Sequence, residues 1–235
     1  MFSRWFVASL VLVVLVTLGT AYVSLQRDRL FPERVPVHWG IDGQPDAFTP
    51  REALVPWLWL LPAVLLGLIL LGRVLPWLSP RHFDLESFRP TYEYLFFLVT
   101  LLFAYLHLIL LLAQMEMLGD IGRWLMAGLC GLYVAMGNVL GKVRKNFFVG
   151  IRTPWTLASD TVWEATHRLG AWCFVAGGLL GLLLLLTPLP PLSLMMVVLL
   201  VPLVPVIYSL ALYKHLEAQG LLEKVEPPTS STHQN

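Results

Sequence analysis

Residues 169–213 read LGAWCFVAGGLLGLLLLLTPLPPLSLMMVVLLVPLVPVIYSLALY, 45 positions without one Asp, Glu, Lys or Arg. A helix crosses the ~30 Å hydrocarbon layer of a bilayer with about 20 mostly apolar residues, so this run is too long for one crossing. Pro188, Pro190 and Pro191 divide it, because proline has no amide donor and clashes with the preceding turn. Two spans follow, near Leu169–Thr187 and Leu192–Tyr213. Pro202 and Pro205 predict a kink in the second of them, whose freed carbonyls need partners on neighbouring helices. Four further apolar runs lie upstream: Trp5–Leu25, Leu54–Gly72 with Arg73 near enough to its end to snorkel, Tyr94–Ala113 broken only by His107, and Trp124–Gly141. The reading is an all-α integral membrane protein, a bundle of about six transmembrane helices.

Composition agrees. Of 235 residues, 57% are apolar and only 13% are charged, against about 25% charged in an ordinary soluble domain. Nine Trp, seven Tyr and a mean hydropathy of +0.71 point the same way. A soluble enzyme, a disordered chain and a disulfide-rich secreted scaffold are excluded, and a net charge of +1 gives no reason to expect nucleic acid as a direct partner. Cys130 and Cys173 fall at different depths on antiparallel spans, too far apart for a disulfide.

Lys and Arg set the expected orientation. With both termini cytoplasmic, eleven cations lie inside (Arg4, Arg73, Arg81, Arg89, Lys142, Arg144, Lys145, Arg152, Arg168, Lys214 and Lys224) and five outside. The first apolar run exceeds the core of a signal peptide and lacks a small-residue cleavage site, so it is expected to remain as a span. The expected organisation is an N-terminal helix pair (1–78) with an extracytoplasmic loop (26–53), a third helix with connectors (79–123), a region at 124–213 with a cytoplasmic loop (142–168), and a partly disordered cytoplasmic tail (214–235).

Two loops are more than connectors. In the outer one, Pro36 and the apolar/polar alternation predict an extended segment, and Asp42-Gly43 a tight turn before the chain returns to the membrane. His38, Asp42 and Asp46 have metal-capable side chains. Gly40, Gly43 and Pro45 argue against the helix that would align them, so they read as turn-forming and capping Asp residues beside an interfacial His, with no metal site. Trp39 and Phe48 are expected at headgroup level.

The inner loop opens with Lys142, Arg144 and Lys145, ordinary anchors on an anionic leaflet. Thr153 before Pro154 predicts extended chain. A helix should begin at Ser159–Thr161, with Thr161 and Glu164 as a capping box and Glu164–Arg168 as an ion pair. Trp163, His167 and Gly170 share a face of it. Two readings stand: a short interfacial helix with Trp163 on lipid and His167 at the rim, or a docking surface of Arg152, Trp155, Trp163 and His167.

Within the spans the polar groups are few: His107, Gln114 and Asn138. His107 is expected to stay neutral and donate to a carbonyl or side chain, and no chain of ionisable residues supports a proton relay. Gly137/Gly141 and Gly177/Gly181 are pairs that let helices approach closely. No nucleophile elbow, zinc-protease pair, phosphate loop or C-x-x-C occurs, so neither an enzyme nor a cofactor is expected.

The run Gly137-Asn138 through Asn146, then Gly150-Ile-Arg152-Thr153-Pro154-Trp155-Thr-Leu157, then Val162-Trp163 and Thr166-His167-Arg168-Leu-Gly170, resembles the signature of SdpI-like bacterial immunity proteins. Residues 30–56, with Pro36, His38, Gly43 and Asp46, resemble the short domain of unknown function that often heads them. The resemblance implies a multi-pass membrane protein protecting its producer from a secreted peptide toxin. It also implies, after the type member, a sensor that holds a DNA-binding repressor at the membrane. The expected partners are therefore the lipid bilayer, an extracellular peptide toxin and a cytosolic repressor protein. The alternative is a transporter or lipid-handling membrane enzyme, with Arg152, His167 and the cationic cluster gripping phosphate beside a cavity lined by His107 and Asn138.

Overall fold

The computed structural model describes residues 3–40, 42–78, 86–146 and 148–222. The elements in chain order are α1 (Arg4–Leu25), one-turn α2 (Arg27–Leu30), strands β1 (Arg34–Trp39) and β2 (Pro45–Pro50), α3 (Val55–Leu78), α4 (Arg89–Gln114), α5 (Ile121–Leu140), short α6 (Pro154–Ala158), α7 (Asp160–Leu184), α8 (Pro191–Leu200) and α9 (Leu203–Ala218). Among the described residues six helical segments are long and apolar enough to cross a bilayer, the last formed by α8 and α9 together. The expected disorder beyond residue 222, and the cations Arg81 and Lys224, lie outside the described residues.

The helix starts follow the local sequence. Ser3, Asp120 and Ser159 each accept a hydrogen bond from a free amide of the first turn of α1, α5 and α7, which satisfies a donor that has no partner inside the helix. The cap of α7 is thus Ser159, and the Thr161–Glu164 capping box does not form. A reciprocal box does form one element earlier, where Thr153 and Thr156 satisfy each other's amides at the start of α6. With Ser159 as cap, α7 runs unbroken to Leu184, so the expected interfacial helix is the first part of the fifth span. α3 likewise continues past Gly72 to Leu78; the Arg73 guanidinium lies 5.0 Å from the Phe6 ring of α1 and does not end the helix.

Proline shapes two spans, and tyrosine repairs both. Pro76 leaves the carbonyl of Gly72 without its helical donor, and the Tyr92 hydroxyl of α4 donates to that oxygen at 3.0 Å. Pro202 does the same to Val198 where the sixth span breaks between α8 and α9, and the Tyr133 hydroxyl of α5 donates there at 2.7 Å. In a bilayer a freed carbonyl has no water to turn to, so a hydroxyl from the adjacent helix permits the kink.

The bundle has two halves. α1, α3 and α4 pack on one another, as do α5, α7, α8 and α9, and α4 against α5 joins them. α5 and α7 lie closest. A Cβ on Gly137 would stand 2.8 Å from the Ala171 carbonyl, one on Gly178 would stand 2.6 Å from the Cys130 carbonyl, and one on Gly181 would overlap the Cys130 thiol. Gly137 and Gly181 act as their spacing predicts. Gly177 instead admits Val201, and Gly141 meets only ordinary contacts. Cys130 and Cys173 are both free.

Candidate functional site

At one end of the bundle the loop from α5 to α7 folds into a compact plug. Asn146 is its centre and is fully buried. Its Nδ2 donates to the carbonyls of Arg144 and Val149, both at 2.8 Å, and its Oδ1 accepts from the amides of Phe148 at 2.8 Å and Val149 at 2.7 Å. A side-chain amide with two donors and an acceptor oxygen can close such a turn on itself. Gly150 follows at φ +113°, where a Cβ would overlap His167 Nε2. The close approach lets the Ile151 amide donate to His167 Nε2 at 3.0 Å. The other ring nitrogen, Nδ1, then carries the proton and donates to the Trp163 carbonyl at 2.8 Å. His167 is therefore a neutral imidazole with both nitrogens in use.

Trp163 stacks on that ring at 4.1 Å, and its Nε1 donates to the Val143 carbonyl at 2.8 Å. Both residues are 1% exposed. This excludes the lipid-facing Trp163, the rim His167, and any docking surface that would display them, because helix α7 turns this face into the core with Gly170 and the loop covers it. Thr156 donates to the Ile151 carbonyl at 2.9 Å, and Trp155 Nε1 donates to Ser209 of α9. The Thr153–Pro154–Trp155 segment thereby ties the loop to the last helix. Arg152, Pro154 and Arg168 are exposed; Thr166 is buried, with its hydroxyl unpartnered among the described residues. Glu164 pairs with Arg144 at 3.2 Å rather than with Arg168, since the folded loop brings that cation back over the start of α7. Lys145 pairs with Asp160.

Asn138 is exposed and borders a groove with Lys142 and Arg168. His107 is far from it in the fold. Its Nε2 donates to the Thr20 hydroxyl of α1 at 2.8 Å, because Thr20 gives its own proton to the Val16 carbonyl. It lines a separate crevice with Val37 and Gln114. Among the described residues His107 and Asn138 thus line different crevices, and with His167 buried the phosphate-gripping set does not assemble there.

At the other end β1 and β2 form an antiparallel hairpin, a small sheet on an otherwise helical protein. Val35 pairs with Thr49 and Pro36 with Phe48, with an irregularity at His38. The turn falls where Asp42-Gly43 places it: Gly43 has φ +77°, and the Asp42 carboxylate accepts from the Gln44 amide at 3.0 Å. His38 Nδ1 meets Asp46 Oδ1 at 2.5 Å, so these two come together while Asp42 serves the turn. Val35 is fully buried with Phe31, Leu54, Leu58 and Leu111, and β2 is exposed except at Thr49. Phe48 remains outward beneath Arg34, and Trp39 packs against Ile109, Ala113 and Ile121. It covers an apolar gap between α4 and α5.

Helix α4 touches both ends. Leu111 meets the hairpin, and Phe88, Tyr92 and Leu95 share a core with Val143 and Trp163. Sequence reasoning passed over two residues here. Ser209 gives no sequence signal. Arg123, counted only as an outer charge, donates to the carbonyls of Leu185, Thr187 and Leu189 (2.5, 2.8 and 2.8 Å) and so closes the end of α7.

Comparison with known proteins gives two family matches. Residues 142–209 match the SdpI/YfhL protein family, and residues 12–66 match a domain of unknown function, DUF1648. The chain is similar to the immunity protein SdpI of Bacillus subtilis (strain 168), with 24% identity over 152 residues, 63% of this chain and 68% of that protein. No solved structure matches. Six spans together with this similarity make the chain a multi-pass protein of the cell membrane.

Proposed function

We propose, from the premise that this chain belongs to the SdpI/YfhL protein family, that it is a non-enzymatic immunity and sensor protein. In this reading it protects its host from a secreted peptide toxin, and both termini face the cytoplasm. The hairpin meets the toxin outside, and the inner loop passes the event to a cytosolic repressor protein. One observation carries the reading: α4 is a continuous helix packed against the hairpin at one end and against the Trp163 core at the other. A ligand acts at a distance only if it binds one of two arrangements better, and an unbroken helix is a physical link between the sites. β2 supports the outer role, since an exposed strand edge offers amides and carbonyls to an extended peptide.

The family motif then has two kinds of member. Asn146, Gly150, Thr153, Trp163 and His167 build the inner loop, while Arg152, Pro154 and Arg168 present its exposed face. Expression in a toxin-sensitive bacterial host tests this. Survival should rise with the intact chain, fall with Phe48→Ala or Asp46→Ala in the hairpin, and persist with Lys214→Gln. Equal killing with and without the intact chain, at matched membrane levels, contradicts the reading.

A further inference from the structure

At the inner-loop end, a groove of about 770 Å³ runs between the start of α4, the end of α5 and the first turns of α7. Its mouth is cationic. Lys142, Arg144 and Arg168 line it against a single acid, Glu164, which Arg144 already neutralises at 3.2 Å. Among the described residues no acid pairs with Lys142 or Arg168. Asn138, Ser87 and Thr91 add polar groups at the same level.

Farther along the span the lining changes character. Ala171, Trp172 and Val175 form an apolar wall, and Trp172 is 74% exposed. Glu164, Arg168, Ala171 and Val175 recur at helical spacing, so one face of α7 carries charge at its mouth and hydrocarbon deeper in. Gly137 deepens the floor, because its missing side chain lets α5 lie against the Ala171 carbonyl. A free phosphate has no use for the apolar wall, and an uncharged lipid has no use for the cations. An amphiphile with an anionic head uses both.

We propose that this groove binds an anionic phospholipid, with Lys142 and Arg168 on the headgroup phosphate and an acyl chain along Ala171, Trp172 and Val175. Bound there, the lipid bridges α4, α5 and α7 at the point where the two halves of the bundle meet. The inference stands independently of any toxin.

Native mass spectrometry of the full chain in detergent, with added phosphatidylglycerol, phosphatidylcholine or inorganic phosphate, tests it. Phosphatidylglycerol should be retained over phosphatidylcholine. The Lys142→Gln/Arg168→Gln double variant, which changes exposed residues only, should weaken that retention roughly thirtyfold, at about 1 kcal/mol per cation near an anionic group. Lys214→Gln at the same end of the bundle, paired with Glu217 at 2.7 Å, should leave retention unchanged. Val175→Trp should weaken it with the cations intact. Equal retention by wild type and double variant overturns the proposal, as does equal retention of the two lipids. Displacement of phosphatidylglycerol by millimolar phosphate also overturns it, since the site would then serve a bare anion.

Discussion

Gly150 and Asn146 illustrate how little of a motif needs to touch a partner in order to matter. Alanine at 150 would meet both a left-handed backbone and the imidazole nitrogen that accepts from Ile151. The expected loss is about 1–3 kcal/mol, read as a lowered melting temperature in detergent with the helical content unchanged. Asn146→Ala takes the side-chain partner from two partly buried amides and two carbonyls at once. Each buried unsatisfied group costs about 1–3 kcal/mol, so this variant should be the more damaging of the two. A melting temperature equal to wild type in either case would remove the loop-plug description. Trp163→Phe keeps an aromatic ring beside His167 but loses both the bond to Val143 and buried ring volume, for which about 2–3 kcal/mol is expected.

The helices of this protein are held at their breaks. Tyr133 and Tyr92 matter because Pro202 and Pro76 leave specific carbonyls bare, so each tyrosine and its proline act as a unit. Tyr133→Phe should cost about 1–2 kcal/mol in the wild type. It should cost measurably less in a Pro202→Ala background, where the substituted residue can supply its own amide to the Val198 carbonyl. A double-mutant cycle on thermal stability measures this coupling, and additive effects would show that the hydroxyl does something else. Arg123 works in the same way at the end of α7, where one guanidinium serves three carbonyls that no helical amide reaches. Lysine has a single ammonium in place of this planar fork, so Arg123→Lys should loosen the 185–190 connection and raise its proteolytic sensitivity.

As a whole molecule the bundle places the hairpin and the inner loop at opposite ends, since an odd number of crossings separates them. The excess of Lys and Arg predicts that the hairpin end is extracytoplasmic. A single cysteine introduced by Asp42→Cys, in a chain whose Cys130 and Cys173 are replaced by alanine, should react with a membrane-impermeant maleimide on intact cells. One introduced by Glu164→Cys should react only after lysis. Labelling of both from outside would break the proposed division between a toxin-facing and a cytosolic end.

Hydropathy alone determined the six spans, and local residue pattern the proline break of the long apolar run and the turn at Asp42-Gly43, because each is a property of neighbours in sequence. Two of the four paired glycines, Gly137 and Gly181, were legible for the same reason. Only the tertiary structure decided that Trp163 and His167 are core, that Ser159 rather than Thr161 caps α7, and that Glu164 answers to Arg144. Those outcomes depend on a loop folding back over α7, and periodicity records which residues share a face without recording what covers it. The tyrosines and Arg123 escaped reading for a related reason: the carbonyls they satisfy lie on other helices or on the 185–190 connection, at distances in sequence no local pattern spans.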